Sequence, residues 1–284
     1  MSDELNIRQQ ILAQIAQACV EYGVRDFVIA PGSRSAPLTT TVAQHPDLRC
    51  RVVIDERAAA YVALGLAQQS GAPVGLICTS GTAALNFAPA VTEAFYQQIP
   101  LIVFTADRPP EWIDQQDNQA IHQQALYAPH CRGFFELPVE YGHPDAQWYA
   151  LRLISEAFQA ALGTVRGPVQ INAPLREPLY GAEPVSQPLK PPKLIRTAAA
   201  APQLAPDQWR QLQREWRAAR RKLVLVGTHA PSSRLQRSLR HLDRDPSVAI
   251  IGDVTGNIAP DGTREPRRRH IGLAQSTNAG CAGP

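Results

Sequence analysis

The sequence predicts an α/β fold: a parallel sheet flanked by helices, followed by an incomplete second α/β domain. Three observations carry this. Short, uninterrupted apolar runs recur at residues 27–30, 52–54, 74–78 and 100–104, the pattern of strands buried on both faces. Stretches between them repeat apolar residues every three or four positions, the pattern of helices. Each run ends in a Gly/Pro or polar cluster, and open α/β sheets bind ligands outside the carboxyl ends of their strands.

The elements follow in order. Residues 5–22 place Ile11, Ile15, Cys19 and Tyr22 on one helical stripe, and Gly23 ends it because glycine accepts the left-handed conformation. The run 27–30 is a strand that Pro31-Gly32 breaks, with Ser33 or Ser35 placed to cap the next helix. Residues 52–54 form a second strand, leading to a helix over 56–69. Residues 74–78 are a third strand, and Thr79-Ser80-Gly81-Thr82 leads into one Ala-rich helix ending near Gln98. The fourth strand, 100–104, runs into Thr105-Ala106-Asp107-Arg108-Pro109-Pro110. The polar stretch 111–124 is long for a compact domain, and such loops carry function or motion. A strand at 134–137, a helix at 145–162 and a strand at 168–172 complete this part. That helix sets Trp148, Leu151, Ile154, Phe158 and Leu162 on one face.

Residues 1–182 are therefore expected to form one domain. Residues 183–206 read as a linker stiffened by Pro188, Pro191 and Pro192. Residues 207–262 open a second α/β domain, with Asp207 as N-cap of a helix over 208–220, strands at 223–226 and 248–251, and a helix at 232–242. Residues 263–284 are basic, then Gly/Ala-rich, without periodicity; they read as disordered or as the product of a frameshift or truncation.

Composition narrows the function classes. At 284 residues and 44% hydrophobic content, the chain is long and apolar enough for one large or two ordinary domains. The net charge of +3, with no basic stripe interleaved with aromatics before residue 210, argues against a nucleic-acid partner. The five cysteines are irregularly spaced and form no zinc pattern, so no metal ligand is assigned; Cys19 and Cys78 read as core residues. The polar, acidic N-terminus is not a secretory leader, and no apolar run approaches a membrane span, so a cytoplasmic protein is expected.

The candidate site residues sit at the strand ends. Arg34 and Arg108 suit bidentate grip of carboxylates, or structural ion pairs. The Thr79–Thr82 turn suits an anion or a plain helix cap, and Glu56 suits the dipole of the helix it starts. His122 and His130 read as surface residues or substrate contacts. The glycine patterns of dinucleotide sites and P-loops are missing, as is a Gly-x-Ser-x-Gly elbow.

Five motifs then occur in order: APGSRSAPLT, DER, TSGTAALN, FTADRPPE and DNQAIHQ, with PLREPLY ending at Tyr180. Over residues 1 to about 260 the chain resembles the 2-succinyl-5-enolpyruvyl-6-hydroxy-3-cyclohexene-1-carboxylate synthases, thiamin-diphosphate enzymes of menaquinone and phylloquinone biosynthesis. The resemblance implies a homodimer or tetramer of three-domain subunits. In it the first domain binds the aminopyrimidine and the last binds diphosphate with Mg2+ or Mn2+. It implies decarboxylation of 2-oxoglutarate and addition of the product carbanion equivalent to isochorismate. It makes Glu56 the catalytic and cofactor-binding carboxylate, Thr82 a cofactor neighbour, and Ser33, Arg34, Arg108, Asn118 and Gln119 the substrate contacts. Members are about twice as long, and Gly252-Asp253-Val254 lacks the rest of a diphosphate–metal motif. The chain alone is thus expected to be inactive. The alternatives are another thiamin-diphosphate decarboxylase or carboligase of 2-oxo acids, and a non-catalytic module that binds a carboxylate or a partner.

Overall fold

Residues 26–29 form the strand around which the first part of the chain is ordered, and all four are buried. The computed structural model describes residues 2–182, 185, 191–198 and 203–258, and the chain divides into two compact units, Met1–Ala200 and Ala201–Pro284. In the first unit the strands are β1 (Asp26–Ile29), β2 (Arg49–Val52), β3 (Val74–Cys78), β4 (Leu101–Asp107), β5 (Phe134–Glu136) and β6 (Val169–Pro174). The helices are α1 (Ser2–Glu21), α2 (Ala36–Gln44), α3 (Glu56–Ser70), α4 (Thr82–Leu85), α5 (Ala88–Tyr96) and α6 (Pro144–Leu162). The strands make one parallel sheet in the order β2-β1-β3-β4-β6-β5.

Successive residues of a strand face opposite sides, and here both sides are covered. Phe27, Ile29, Ile77, Ile102 and Phe104 meet α1, α2 and α6 on one face. Val28, Leu76, Cys78, Leu101 and Val103 meet α3 and α5 on the other. There Ala59, Ala60, Ala63, Ala67, Ala90 and Ala94 are fully or almost fully buried, and their small side chains let both helices lie close to the sheet. Gly23 closes α1 with φ +94°, and Tyr22 stacks on Phe158 of α6 at 4.5 Å between ring centroids.

Four local expectations are corrected. The second strand lies at Arg49–Val52 and not at 52–54, and it is an edge strand; Val52 is 64% and Ile54 82% exposed. Its arginines, Arg49 and Arg51, instead pair with Asp26 of β1. The Ala-rich helix is two helices: α4 ends at Leu85 and α5 begins at Ala88, with Pro89, which has no N–H to continue the ladder, in its first turn. Trp148 is 60% exposed; the buried face of α6 is Ala150, Leu153, Ile154, Ala157, Phe158 and Ala161. Ser35 holds the N-cap position of α2, but its hydroxyl donates back to the Gly32 carbonyl (3.0 Å).

The second unit contains α7 (Pro206–Ala218), β7 (Lys222–Val226), α8 (Ser233–Leu242) and β8 (Val248–Gly252), with β7 and β8 parallel. Ala205, not Asp207, is the N-cap of α7, because Pro206 takes the first helical position. Ser232 caps α8, accepting from the Leu235 N–H (3.2 Å). One face of β7 stays uncovered among the described residues: Leu223 is 56% and Leu225 70% exposed. Residues 263–284 and most of 183–190 lie outside the described residues.

Gly75 of β3 faces Phe27 of β1 across the ladder, and a Cβ on it would stand 2.2 Å from the Phe27 ring. Phe27 is fully buried beside Phe104, so it has nowhere to swing. Gly75→Ala is therefore expected to cost about 1–3 kcal/mol of stability by overpacking, read as a lowered denaturant midpoint. An unchanged midpoint would show that the ring relaxes freely.

Candidate functional site

The strand order reverses at β1: the chain steps outward to β2, then back across to β3. Such a switch point opens a crevice at the carboxyl ends of the strands. The loops after β1 and β3 meet there. A Cβ on Gly32 would lie 2.3 Å from the Thr79 Cβ, so only glycine allows this approach. Ser33 stands exposed on the turn, whereas Arg34 is buried to 5% exposure. The Arg34 guanidinium donates from Nη1 to the Leu175 carbonyl (2.8 Å) and from Nη2 to Glu177 Oε1 (3.1 Å). Its Nε is buried without a partner among the described residues.

The next polar group is built on β4 and β6. Asn172 Oδ1 accepts from the Thr105 hydroxyl (2.8 Å) and Gln123 Nε2 (3.0 Å). Its Nδ2 donates to Asp107 Oδ2 (2.9 Å) and Glu136 Oε2 (3.2 Å). Gln123 Nε2 also donates to the Ala106 carbonyl (3.1 Å), and Gln123 Oε1 accepts from the Gly81 N–H (2.7 Å). Burial pushes the Asp107 carboxyl up to about 6. The Asn172 hydrogen bond opposes that rise, the Glu136 charge adds to it, and the Arg34 charge opposes it.

Arg108 follows Asp107 with its side chain only 15% exposed. Its Nη2 donates to the Asn118 carbonyl (2.6 Å), its Nε lies 3.0 Å from Asp117, and its Nη1 lies 3.9 Å from Glu177 Oε1. The loop then brings Gln119 against Gly81: a Cβ on Gly81, whose φ is +79°, would stand 2.7 Å from the Gln119 carbonyl oxygen. Gln119 thus sits beside Thr82, which is exposed at the start of α4. His122 is exposed and pairs with Asp114 at 3.1 Å, while His130 lies against the Phe95 and Tyr96 rings.

Glu56 opens α3 just beyond β2. Asp55 caps this helix, accepting from the Ala58 N–H (2.9 Å), which leaves Glu56 free of capping duty. The Glu56 carboxylate is half-buried and makes no hydrogen bond or ion pair among the described residues. Its charge reaches Cys78, whose thiol is raised first by burial and then by Glu56. Val52 and Ile54, which precede Glu56 in the chain, are exposed.

The structure joins Arg34 to Arg108 through Glu177, Arg108 to Asn118, and Gln119 to the Gly81-Thr82 turn. Ser33 and Glu56 share the same sheet edge but no hydrogen bond or ion pair with this group. Sequence reasoning missed Gln123, Gln170, Asn172 and Glu177. The signal for two of them was present: Gln170 and Asn172 alternate with Val169, Ile171 and Ala173 in an otherwise apolar strand, so both amides point to one buried face. Among the described residues no group of three His, Cys, Asp or Glu side chains is placed to hold a metal, and no helix is long and apolar enough to cross a membrane.

Residues 10–126 match the family model for the thiamine pyrophosphate enzyme N-terminal TPP binding domain. The chain is 41% identical over 253 residues to a 2-succinyl-5-enolpyruvyl-6-hydroxy-3-cyclohexene-1-carboxylate synthase of Desulfotalea psychrophila, covering 88% of this chain and 46% of that protein. It is 39% identical over 249 residues to the synthase of the same name from Cytophaga hutchinsonii, covering 88% and 44%. The chain thus spans less than half the length of these curated relatives. Among solved structures it is similar to a thiamine diphosphate-dependent 4-hydroxybenzoylformate decarboxylase of Rhodococcus jostii RHA1. That match has a TM-score of 0.61 and 22% identity, and covers 77% of this chain and 39% of the other, a likeness of fold.

The Asp107 environment makes a pH prediction. Its folded carboxyl titrates at about 6, whereas an unfolded aspartate titrates near ~4. The folded state therefore holds this proton more tightly, and stability falls as pH rises from ~4 through ~6. Urea unfolding at stepped pH is expected to show a loss on the order of 2 kcal/mol across that window, and Asp107→Asn removes the step. The same slope in the variant would assign it to another group.

Proposed function

We propose, from the premise that the chain is a relative of the 2-succinyl-5-enolpyruvyl-6-hydroxy-3-cyclohexene-1-carboxylate synthases with a thiamine pyrophosphate enzyme N-terminal domain, that it is the N-terminal part of such a synthase. Its reaction is then the decarboxylation of 2-oxoglutarate and the transfer of the remaining four-carbon unit to isochorismate. The observation that carries the reading is the free Glu56 carboxylate on the same sheet edge as the Arg34–Arg108 pair.

The residues present fit the aminopyrimidine half of thiamin diphosphate. Glu56 offers a carboxyl group to hydrogen-bond a ring nitrogen, and the Gly81-Thr82 turn and Gln119 stand at the end of β3. When bound, the cofactor supplies the electron sink that decarboxylation of a 2-oxo acid needs. Glu56 holds or releases a proton at its carboxylate oxygen, the chain's own part in acid–base catalysis. Arg34 and Arg108 orient substrate carboxylates, since two planar guanidinium forks match two carboxylic acid substrates better than lysines. Ser33, Asn118 and Gln119 are exposed beside them and offer hydroxyl and amide partners for substrate oxygens. We assign no diphosphate or Mg2+ ligand to the described residues.

A second domain, from a partner subunit of a homo-oligomer, completes the site in this reading. The uncovered Val52 and Ile54 beside β2, Tyr61 of α3 and Leu85 of α4 support it. The four described cysteines are free thiols, which suits a reducing cytoplasm.

The test uses a polypeptide that continues this chain through the remaining half found in its relatives. Carbon dioxide release from 2-oxoglutarate is expected, with product formed only when isochorismate is present. Glu56→Gln is expected to lower the rate by roughly 10²–10⁴-fold. Release from pyruvate but not from 2-oxoglutarate would move the assignment to another 2-oxo acid decarboxylase. Binding of carboxylates without any turnover would make the chain a non-catalytic module.

A further inference from the structure

Glu177 does not fit a merely structural ion pair. Its Oε1 lies 3.1 Å from Arg34 Nη2 and 3.9 Å from Arg108 Nη1, so a single oxygen is shared between two guanidiniums. The burial of the partners is lopsided. The Arg34 and Arg108 side chains are 6% and 15% exposed, whereas Glu177 is 72% exposed. The cations are fixed and the anion stands in solvent.

The backbone around Glu177 is also fixed. Arg34 Nη1 donates to the Leu175 carbonyl (2.8 Å). Arg8, reaching over from α1 and itself 7% exposed, donates to the carbonyls of Arg176 and Pro178. The main chain on both sides of Glu177 is therefore held while its side chain remains free to turn. The anion of this pair is solvent-exposed, so water screens it and exchanging it for another carboxylate costs little. Without Glu177 the buried Arg34 guanidinium would have no ion-pair partner among the described residues, whereas Arg108 keeps Asp117 at 3.0 Å.

We propose that Glu177 is an internal stand-in for a substrate carboxylate: it occupies the Arg34–Arg108 pair in the absence of ligand and yields that pair to an incoming carboxylate. The inference rests on the reading above that these arginines grip substrate. It makes Glu177 a specificity-determining residue. A ligand displaces it only by bringing a carboxylate of its own, and one that engages both forks with both oxygens outcompetes a single shared oxygen. Neutral ligands have no means of displacement.

The test measures succinate binding to this chain by titration calorimetry, in the native form, in Glu177→Gln and in Glu177→Ala. Succinate is the probe because it is a plain dicarboxylate with no 2-oxo group. Both variants are expected to bind it more tightly than the native chain, Glu177→Gln by roughly two- to fivefold, the range of a weak exposed ion pair. A merely structural Glu177 gives the opposite sign, because loosening the pair weakens binding. Equal or weaker binding in both variants overturns the inference, and so does a lack of succinate binding by either. Tighter binding in the variants, combined with no carbon dioxide release from 2-oxoglutarate by the extended polypeptide, sinks the functional reading and leaves this inference standing. Carbon dioxide release with unaltered succinate affinity does the reverse.

Discussion

Asn172 has donor and acceptor groups buried together, and each must find a partner away from water. Leaving one such group unpaired costs about 1–3 kcal/mol, so the surrounding chain is constrained to supply partners. It does so with four residues from three elements: Thr105 and Asp107 on β4, Glu136 on β5, and Gln123 on the long loop. Gln123 in turn reaches the Gly81 N–H after β3 and the Ala106 carbonyl on β4. Gln170 holds the Gln123 carbonyl and the Leu126 N–H. One buried amide thereby ties the ends of β3 and β4 to the far end of a loop that has only a single 3-10 turn, Pro110–Trp112, of its own. Fully satisfied networks of this kind rigidify what they join.

That rigidity gives the arginines their value. A guanidinium in solvent grips a carboxylate weakly, because it must be ordered first. Arg34 is ordered already by the Leu175 carbonyl, and Arg108 by the Asn118 carbonyl and Asp117. Their charges are spread over Asp117, Glu177 and, through space, Asp107. The cluster holds two cations out of water without an excess of positive charge, and only one of those anions, Glu177, is openly exposed. Prior ordering lowers the entropic cost of binding, which is the physical meaning of a preorganised site.

The strands were legible because burial on both faces forces continuous apolar runs, and β3 falls at residues 74–78 as its run predicts. The edge position of β2 was not legible. It depends on strand order, which a local pattern does not encode, and the run of Val52, Val53 and Ile54 reads the same whether or not anything covers it. Pro89 signalled a helix start that the alanines around it masked. At the site, Arg34, Glu56 and Arg108 could be picked out because polar residues abruptly follow apolar runs. Their partners could not: Arg34 meets Glu177 across 143 positions, and Thr105 meets Asn172 across 67. Pairings at such separations come from the topology of the sheet, not from any window of sequence.

The two halves of the sheet edge differ in a way that matches two kinds of chemistry. On the β4–β6 side Thr105, Asp107, Gln123, Gln170 and Asn172 are buried and hydrogen-bonded to one another, which in the proposed reading suits holding a charged substrate in one orientation. On the β2 side Glu56 is unengaged, its neighbour Asp55 does the capping, and Val52 and Ile54 lie uncovered. A proton-handling carboxylate benefits from that arrangement, since a committed hydrogen bond would fix its charge state and compete with its partner. Apolar surroundings that become covered when the site closes would then strengthen its interactions further. In the proposed reading, grip and proton transfer fall at the ends of different strands, with the close contact of Gly32 and Thr79 lying between them.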